Sequence, residues 1–186
     1  MNEDMKGIPI SNDALTMYQF KASYFRGKLI DEFCFLEFAI EKYLVRYFLD
    51  EPDARRRLKN LILDRLTFEA KRTALKAMLD EYEKKHGFIK TKNNTYPHAK
   101  LLDEIRLLND QRNYFAHYYL AIPQEKPHLI ICLAEYRDYV KTHDYTIEKF
   151  DSIIDRIKET VNKLNELMDL HFKHSGGASS AYIRLP

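Results

Sequence analysis

Residues 109–119 read Asn-Asp-Gln-Arg-Asn-Tyr-Phe-Ala-His-Tyr-Tyr, a run that mixes apolar and ionisable side chains. The apolar positions in and before it are spaced four, three, seven and four residues apart, which is typical of one face of a helix. These positions are Leu101, Ile105, Leu108, Phe115 and Tyr119. Arg112 occupies the position that would fill the seven-residue gap. We therefore predict a helix from near Pro97 to Leu120 that carries an arginine on its core-facing stripe.

The composition indicates a folded chain with one sizeable core. Of 186 residues, 45% are hydrophobic and only 5 are glycine and 6 proline, so the chain is neither low-complexity nor disordered. Residues 1–174 are expected to form a single domain, and the Ser- and Gly-rich segment 175–186 a flexible tail. Because the formal net charge is only +2, any contact with nucleic acid requires a local basic patch.

The cysteine content and the hydropathy favour a cytoplasmic protein. Two cysteines, Cys34 and Cys132, are too few for a disulfide framework, and Cys34 lies in an apolar run typical of a reduced core residue. No apolar run approaches the roughly 18 residues that would span a membrane, and no signal peptide is recognisable. We expect no membrane contact.

Four further helices and a short hairpin complete the predicted fold. Ser11, Asn12 and Asp13 can cap a helix that runs to about Leu49, a short helix covers residues 53–65, and Thr67 caps a helix that Gly87 ends. Residues 128–133 and 136–142 resemble a β-hairpin. Thr146 caps a last helix whose apolar residues alternate three and four apart. This pattern predicts an all-α, antiparallel helical bundle of four to five helices with a small β-hairpin insertion before the last helix.

Glu37 stands out on the first helix because it falls between two apolar bands. The first band faces the predicted core: Leu29, Phe33, Leu36, Ile40, Leu44 and Tyr47. The second band offers a surface for a partner helix: Ile30, Cys34, Val45 and Phe48. Glu37 is either an edge carboxylate that reaches water or the partner of Arg112 across the core.

The segment from Lys84 to Leu102 has five lysines and two histidines but no acidic residue. Its lysines are Lys84, Lys85, Lys90, Lys92 and Lys100. The simplest interpretation is a solvated loop. Because the segment leads directly into the helix that carries Arg112, the functional interpretation is a rim that attracts RNA phosphates.

Arg112, Asn113 and His117 have the chemistry needed at a phosphodiester. An imidazole can give or take a proton near neutral pH. A guanidinium binds phosphate with fixed donors and stabilises charge that develops on it. Asn113 precedes His117 by four residues and can orient the ring or a phosphate oxygen. No glycine-rich phosphate loop, zinc spacing or Ser/His/Asp signature is present, and no metal site or cofactor is predicted.

The run Arg112-Asn113-Tyr114-Phe115-Ala116-His117 resembles the Arg-polar-x3-His motif of HEPN domains, an all-helical family found in prokaryotic toxin, abortive-infection and RNA-processing proteins. The resemblance extends to the helix layout over about residues 15–173. It implies a metal-independent endoribonuclease site at a homodimer interface, where Arg112 and His117 are catalytic and Asn113 supports them. Cleavage would then proceed by attack of the RNA 2′-hydroxyl on the adjacent phosphate.

One HEPN subgroup extends the motif to His-x-Tyr, and a partner nucleotidyltransferase modifies the tyrosine. His117-Tyr118-Tyr119 fits that spacing, which implies an antitoxin or nucleotidyltransferase partner. Tyr119 also continues the apolar stripe, however, so core packing is the competing interpretation.

Two functions of different classes follow. The first is a ribonuclease of a toxin-antitoxin or antiphage defence system that acts as a homodimer. The second is a non-catalytic HEPN-like helical module for dimerisation, nucleotide binding or partner binding, in which Arg112 and Glu37 form a structural ion pair.

Overall fold

The computed structural model describes residues 12–91, 94–122, 129–135 and 141–172, and these are mostly helical. In chain order, the elements are α1 (Asn12–Phe48), α2 (Pro52–Leu61), a 3-10 turn (Leu63–Arg65), α3 (Phe68–Lys85), α4 (Ala99–His117), β1 (Tyr119–Ala121), β2 (Ile131–Ala134), β3 (Thr142–Tyr145) and α5 (Ile147–Phe172). The predicted helix-rich fold with a small β insertion before the last helix is confirmed at this level. The predicted tail, residues 175–186, lies outside the described residues.

Local capping rules explain where several helices begin and end. The Thr67 hydroxyl accepts a hydrogen bond from the Ala70 amide at 3.2 Å, and α3 follows directly. At the other end of α3, Gly87 has a φ of 76°. The Phe88 amide donates to the Glu83 carbonyl at 2.9 Å, which completes a Schellman motif. The Thr146 hydroxyl accepts from the Lys149 amide at 3.3 Å ahead of α5. All three boundaries confirm the sequence predictions.

The three strands form one antiparallel sheet in the order β1-β2-β3. Leu120 pairs with Leu133, and Leu133 pairs in turn with His143. The predicted first hairpin strand overlaps β2, but the second lies later than expected, at Thr142–Tyr145. Residues 136–140 of the predicted hairpin are outside the described part of the chain. Strand β1 was not predicted.

The chain divides into two compact units. The first comprises Met1–Phe33 and Leu108–Arg156, and the second comprises Cys34–Leu107 and Ile157–Pro186. The core of the first unit includes Leu29, Leu108, Phe115, Tyr145 and Phe150, each at most 1% exposed. The core of the second unit includes Leu36, Ile40, Leu75, Leu79 and Ile105, which are also at most 1% exposed. Such close burial of large apolar side chains is the main stabilising contribution in each unit.

Two apolar residues lie elsewhere than predicted. Cys34 is exposed rather than in the core, because it lies on the side of α1 away from Leu29, Leu36 and Ile40. Tyr119 is 46% exposed, because α4 ends at His117 and the stripe that Tyr119 was expected to continue stops there. Among the described helices, none has the length and apolarity needed to cross a bilayer.

Candidate functional site

Arg112, Asn113 and His117 lie in the last two turns of α4. The Arg112 Nη1 atom donates a hydrogen bond to the Asn113 Oδ1 atom at 3.2 Å, and both side chains are partly exposed. His117 is the last residue of the helix, and its side chain is exposed to solvent. The motif therefore presents a guanidinium, an amide and an accessible imidazole on one helix end.

Contacts from α1 and β2 hold the chain immediately after His117. Arg26 Nη2 donates to the Tyr118 carbonyl at 2.6 Å. The Tyr18 hydroxyl donates to the Ala121 carbonyl at 2.9 Å and accepts from the Cys132 amide at 2.8 Å. Burial raises the pKa of Tyr18, so its hydroxyl keeps the proton that it donates. Arg26 thus connects α1 to the residue that follows α4, and Tyr18 connects α1 to strands β1 and β2.

A cluster of three rings packs beside the motif. The centroid of Tyr114 lies 4.3 Å from that of His143 and 4.9 Å from that of Tyr118. Burial, followed by the charge of Lys141, lowers the pKa of His143. His143 therefore contacts the motif helix from β3, although the sequence interpretation did not include it. The predicted hairpin ended one residue before His143, and the register that pairs His143 with Leu133 was not part of the prediction.

Glu37 has a different partner from the one that was predicted. Lys71 Nζ lies 2.6 Å from both Glu37 Oε1 and Glu41 Oε1, and Lys71 is only 3% exposed. Burial, the largest influence, lowers the pKa of Lys71, but the hydrogen bonds to the two carboxylates outweigh it and the net shift is upward. Of the two alternatives for Glu37, the structure shows a partly exposed carboxylate whose described partner is Lys71 rather than Arg112, and Arg112 bonds to Asn113.

The sequence did contain a signal for Lys71. On α3 the apolar positions Phe68 and Leu75 are seven residues apart, and Lys71 falls at the gap between them, as Arg112 does on α4. A cation at a core-stripe position needs a buried counter-charge. The same reasoning that singled out Arg112 therefore predicts a carboxylate partner for Lys71.

Two acidic residues of α3 contact the basic segment through His98. His98 is 7% exposed, and its Nε2 and Nδ1 atoms lie 2.7 Å from Asp80 Oδ1 and 3.0 Å from Glu83 Oε1. Burial, the largest influence, raises the pKa of Asp80, but hydrogen bonds from Lys76 and His98 lower it overall. The segment itself contains no acidic residue, but Asp80 and Glu83 of α3 lie next to its His98.

The lysines of this segment are solvent-exposed where they are described. Lys84 and Lys85 end α3 and Lys100 begins α4, and Lys90 Nζ lies 5.2 Å from the ring centroid of Tyr96. Lys92 is outside the described residues. These lysines and Glu37 belong to the second unit, whereas Arg112, Asn113, His117 and Tyr119 belong to the first.

No model of a known protein family, no curated protein and no solved structure matches this chain. The HEPN resemblance therefore stays a prediction that depends on the motif residues. In the described part of the chain, no group of three or more His, Cys, Asp or Glu side chains is arranged to hold a metal ion.

Proposed function

We propose that this protein is a metal-independent endoribonuclease of the HEPN type that acts as a homodimer in a cytoplasmic toxin-antitoxin or antiphage defence system. The observation that carries the proposal is the exposure of His117 at the end of the helix that also holds the Arg112–Asn113 pair. A sealed imidazole could not exchange protons with a substrate, whereas this one is open to solvent.

In the proposed reaction the RNA 2′-hydroxyl attacks the adjacent phosphorus, and the bond from phosphorus to the 5′-oxygen breaks. The products are a 2′,3′-cyclic phosphate and a 5′-hydroxyl. His117 takes the proton from the 2′-hydroxyl, and Arg112 stabilises the negative charge that develops on the phosphate oxygens. Asn113 orients Arg112 through their hydrogen bond.

The reaction needs a base for the 2′-hydroxyl and an acid for the leaving 5′-oxygen. The motif supplies one histidine per chain, so a two-fold dimer that brings two motifs together supplies both groups. An antitoxin or nucleotidyltransferase partner belongs to the same proposal through the His117-Tyr118-Tyr119 run. The exposure of Tyr119 makes its hydroxyl a candidate for modification.

The test is RNA cleavage by purified protein in excess chelator. We expect His117→Ala to lower the cleavage rate by about 100-fold or more and to leave the melting temperature nearly unchanged, because an exposed side chain contributes little to stability. Asn162→Ala, at an exposed polar residue of α5 outside the motif and the basic segment, is the control and should cleave normally. Cleavage that survives His117→Ala, or that chelator abolishes, would contradict the proposal.

A second candidate is a non-catalytic interaction module, and one observation favours it. Phe35 and Phe38 on α1 are 62% and 56% exposed. With Cys34, Glu37 and Glu41 they line an open depression of about 540 Å³, and exposed aromatic patches of this kind are typical of protein contacts. If this is the function, Phe35→Ser with Phe38→Ser abolishes biological activity while His117→Ala leaves it intact.

A further inference from the structure

Arg26 on α1 is a half-buried cation with an unusual set of contacts. Its Nη2 atom donates to the Tyr118 carbonyl at 2.6 Å. Its Nε atom is enclosed and has no hydrogen-bond partner within the described ranges. Burial lowers the pKa of Arg26, and no carboxylate is among its described ion-pair partners. Burying a guanidinium costs free energy, and a single hydrogen bond to a backbone carbonyl offsets only part of that cost. Such a contact therefore contributes little net stability.

The carbonyl that Arg26 binds lies directly after the motif. The last carbonyl groups of a helix have no intrahelical partner, and a cation there is favoured by the helix dipole. Tyr118 is the residue after His117, and its amide still donates to the Tyr114 carbonyl at 3.0 Å. The Tyr118 peptide therefore joins α4 to β1, and Arg26 fixes the position of its carbonyl.

We propose that Arg26 is a positioning residue of the His117 site: by holding the Tyr118 carbonyl, it fixes the end of α4 and so the direction in which the His117 side chain leaves the backbone. This inference depends on the proposed function. It assigns a residue of α1, outside the Arg112–His117 motif, to the positioning of His117. A displacement of a reacting group by about 1 Å can lower a rate about 100-fold, so a single hydrogen bond at this point is sufficient to affect catalysis.

The test compares RNA cleavage kinetics and hydrogen exchange in three variants. Arg26→Met removes the donor and keeps a chain of similar length. We expect kcat to fall about tenfold or more with KM unchanged, and the amides of residues 119–121 to exchange faster. Arg26→Lys keeps a charged donor and should recover part of kcat. Lys21→Met removes an exposed charge from the same helix and should change neither measurement.

Each other outcome overturns the inference. An unchanged kcat in Arg26→Met shows that the contact does not position His117. A raised KM with kcat retained shows that Arg26 contacts RNA itself. If Arg26→Met is unfolded at the assay temperature, the comparison is made at a lower temperature at which every variant is folded, and wild-type kcat with wild-type exchange in Arg26→Met there contradicts the proposal. A wild-type protein that cleaves no RNA overturns the proposed function, and the exchange data then test the Arg26 contact alone.

Discussion

At the scale of single residues, the most tightly constrained charge is the Lys71 ammonium. Both nearby carboxylates, Glu37 and Glu41, lie 2.6 Å from it. A second lysine, Lys59, lies 3.2 Å from the other oxygen of Glu41. Lys71 is almost completely buried and is the cation that the two carboxylates share, while Glu41 has Lys59 as a second one. Glu37, expected to be the Arg112 partner or an edge carboxylate, belongs to this network of Lys71, Glu41 and Lys59 instead.

Removing the Lys71 ammonium should be strongly destabilising. In Lys71→Met the stem still packs, but Glu37 and Glu41 face each other without their shared cation. We expect a loss of about 3 kcal/mol in the free energy of unfolding, at the lower end for a broken buried pair because Glu41 keeps Lys59, and urea denaturation measures it. Lys76→Met on the same helix breaks an exposed pair with Asp80 and should lower stability by less than about 1 kcal/mol. Equal losses in the two variants would contradict the buried network.

His171 should make stability depend on pH in a predictable direction. Burial lowers its pKa from 6.5 to about 4, and the Tyr43 hydroxyl lies 2.6 Å from its Nδ1 atom. The unfolded chain therefore binds a proton near pH 6.5 that the folded chain accepts only near pH 4. The stabilising contribution is fully present above pH 6.5 and is lost as the pH falls towards 4.

The measurement is the unfolding free energy of wild type and His171→Gln at pH 7, 5.5 and 4.5. We expect wild type to lose more stability than the variant over this range, because the glutamine does not titrate. His117→Gln, at an exposed histidine at the end of α4 that is not among the groups acting on His171, should follow the wild-type curve. Parallel curves for wild type and His171→Gln would show that this imidazole does not titrate differently on folding.

At the scale of elements, the sequence predicts the helix ends that depend on capping residues. It misses the strand ends that depend on pairing between strands. Thr67, Gly87 and Thr146 act within a few residues of themselves, so their roles are visible in the sequence. Strand β1 exists because Leu120 pairs with Leu133, a contact between segments far apart in the chain. A tyrosine after His117 fits both a continued helix and a strand, and only the pairing selects between them.

Two described glycines, Gly27 inside α1 and Gly87 just after α3, form a matched pair that tests where these helices continue and end. Gly87 has a φ of 76°, which an L side chain adopts at a cost, so Gly87→Ala should lower stability by about 1 kcal/mol. Gly27 lies inside α1, and a Cβ there would meet nothing within 4 Å. Gly27→Ala should raise stability by about 0.5–1 kcal/mol. Chemical denaturation of both variants measures the two effects, and the same sign in both would contradict this assignment of helix ends.

At the scale of the whole molecule, the sequence located the motif but not what surrounds it. Arg112, Asn113 and His117 are neighbours along one helix, so the spacing alone places them together. Arg26 and His143 contact the end of α4 and the residue after it from α1 and β3, and Tyr18 binds the following strand β1. Their positions depend on tertiary packing, which residue spacing does not encode. The sequence motif identifies the side chains that belong to it. The residues that pack around the motif are identified only from the folded structure.

The homodimer proposal makes a quantitative prediction about mixed dimers. If catalysis needs His117 from both copies, a dimer with one His117→Ala chain is inactive. Cleavage by a randomly mixed sample should then fall as the square of the wild-type fraction at constant total protein. Independent sites would give a linear fall. The measurement mixes wild-type and His117→Ala chains by refolding them together at several ratios, with the amount of dimer checked by light scattering.

The control for this mixing experiment is dilution with Asn162→Ala chains. These chains keep the motif and the basic segment intact, so the cleavage rate should be the same at every ratio. A linear response to His117→Ala dilution would show that one histidine is sufficient. The acid would then have to come from the same chain. His143 is the described histidine that packs against the motif helix, so His143→Gln would be the variant that loses cleavage in that case. A quadratic dependence of cleavage on the wild-type fraction thus indicates a site shared between two chains. A linear dependence indicates a complete site in each chain.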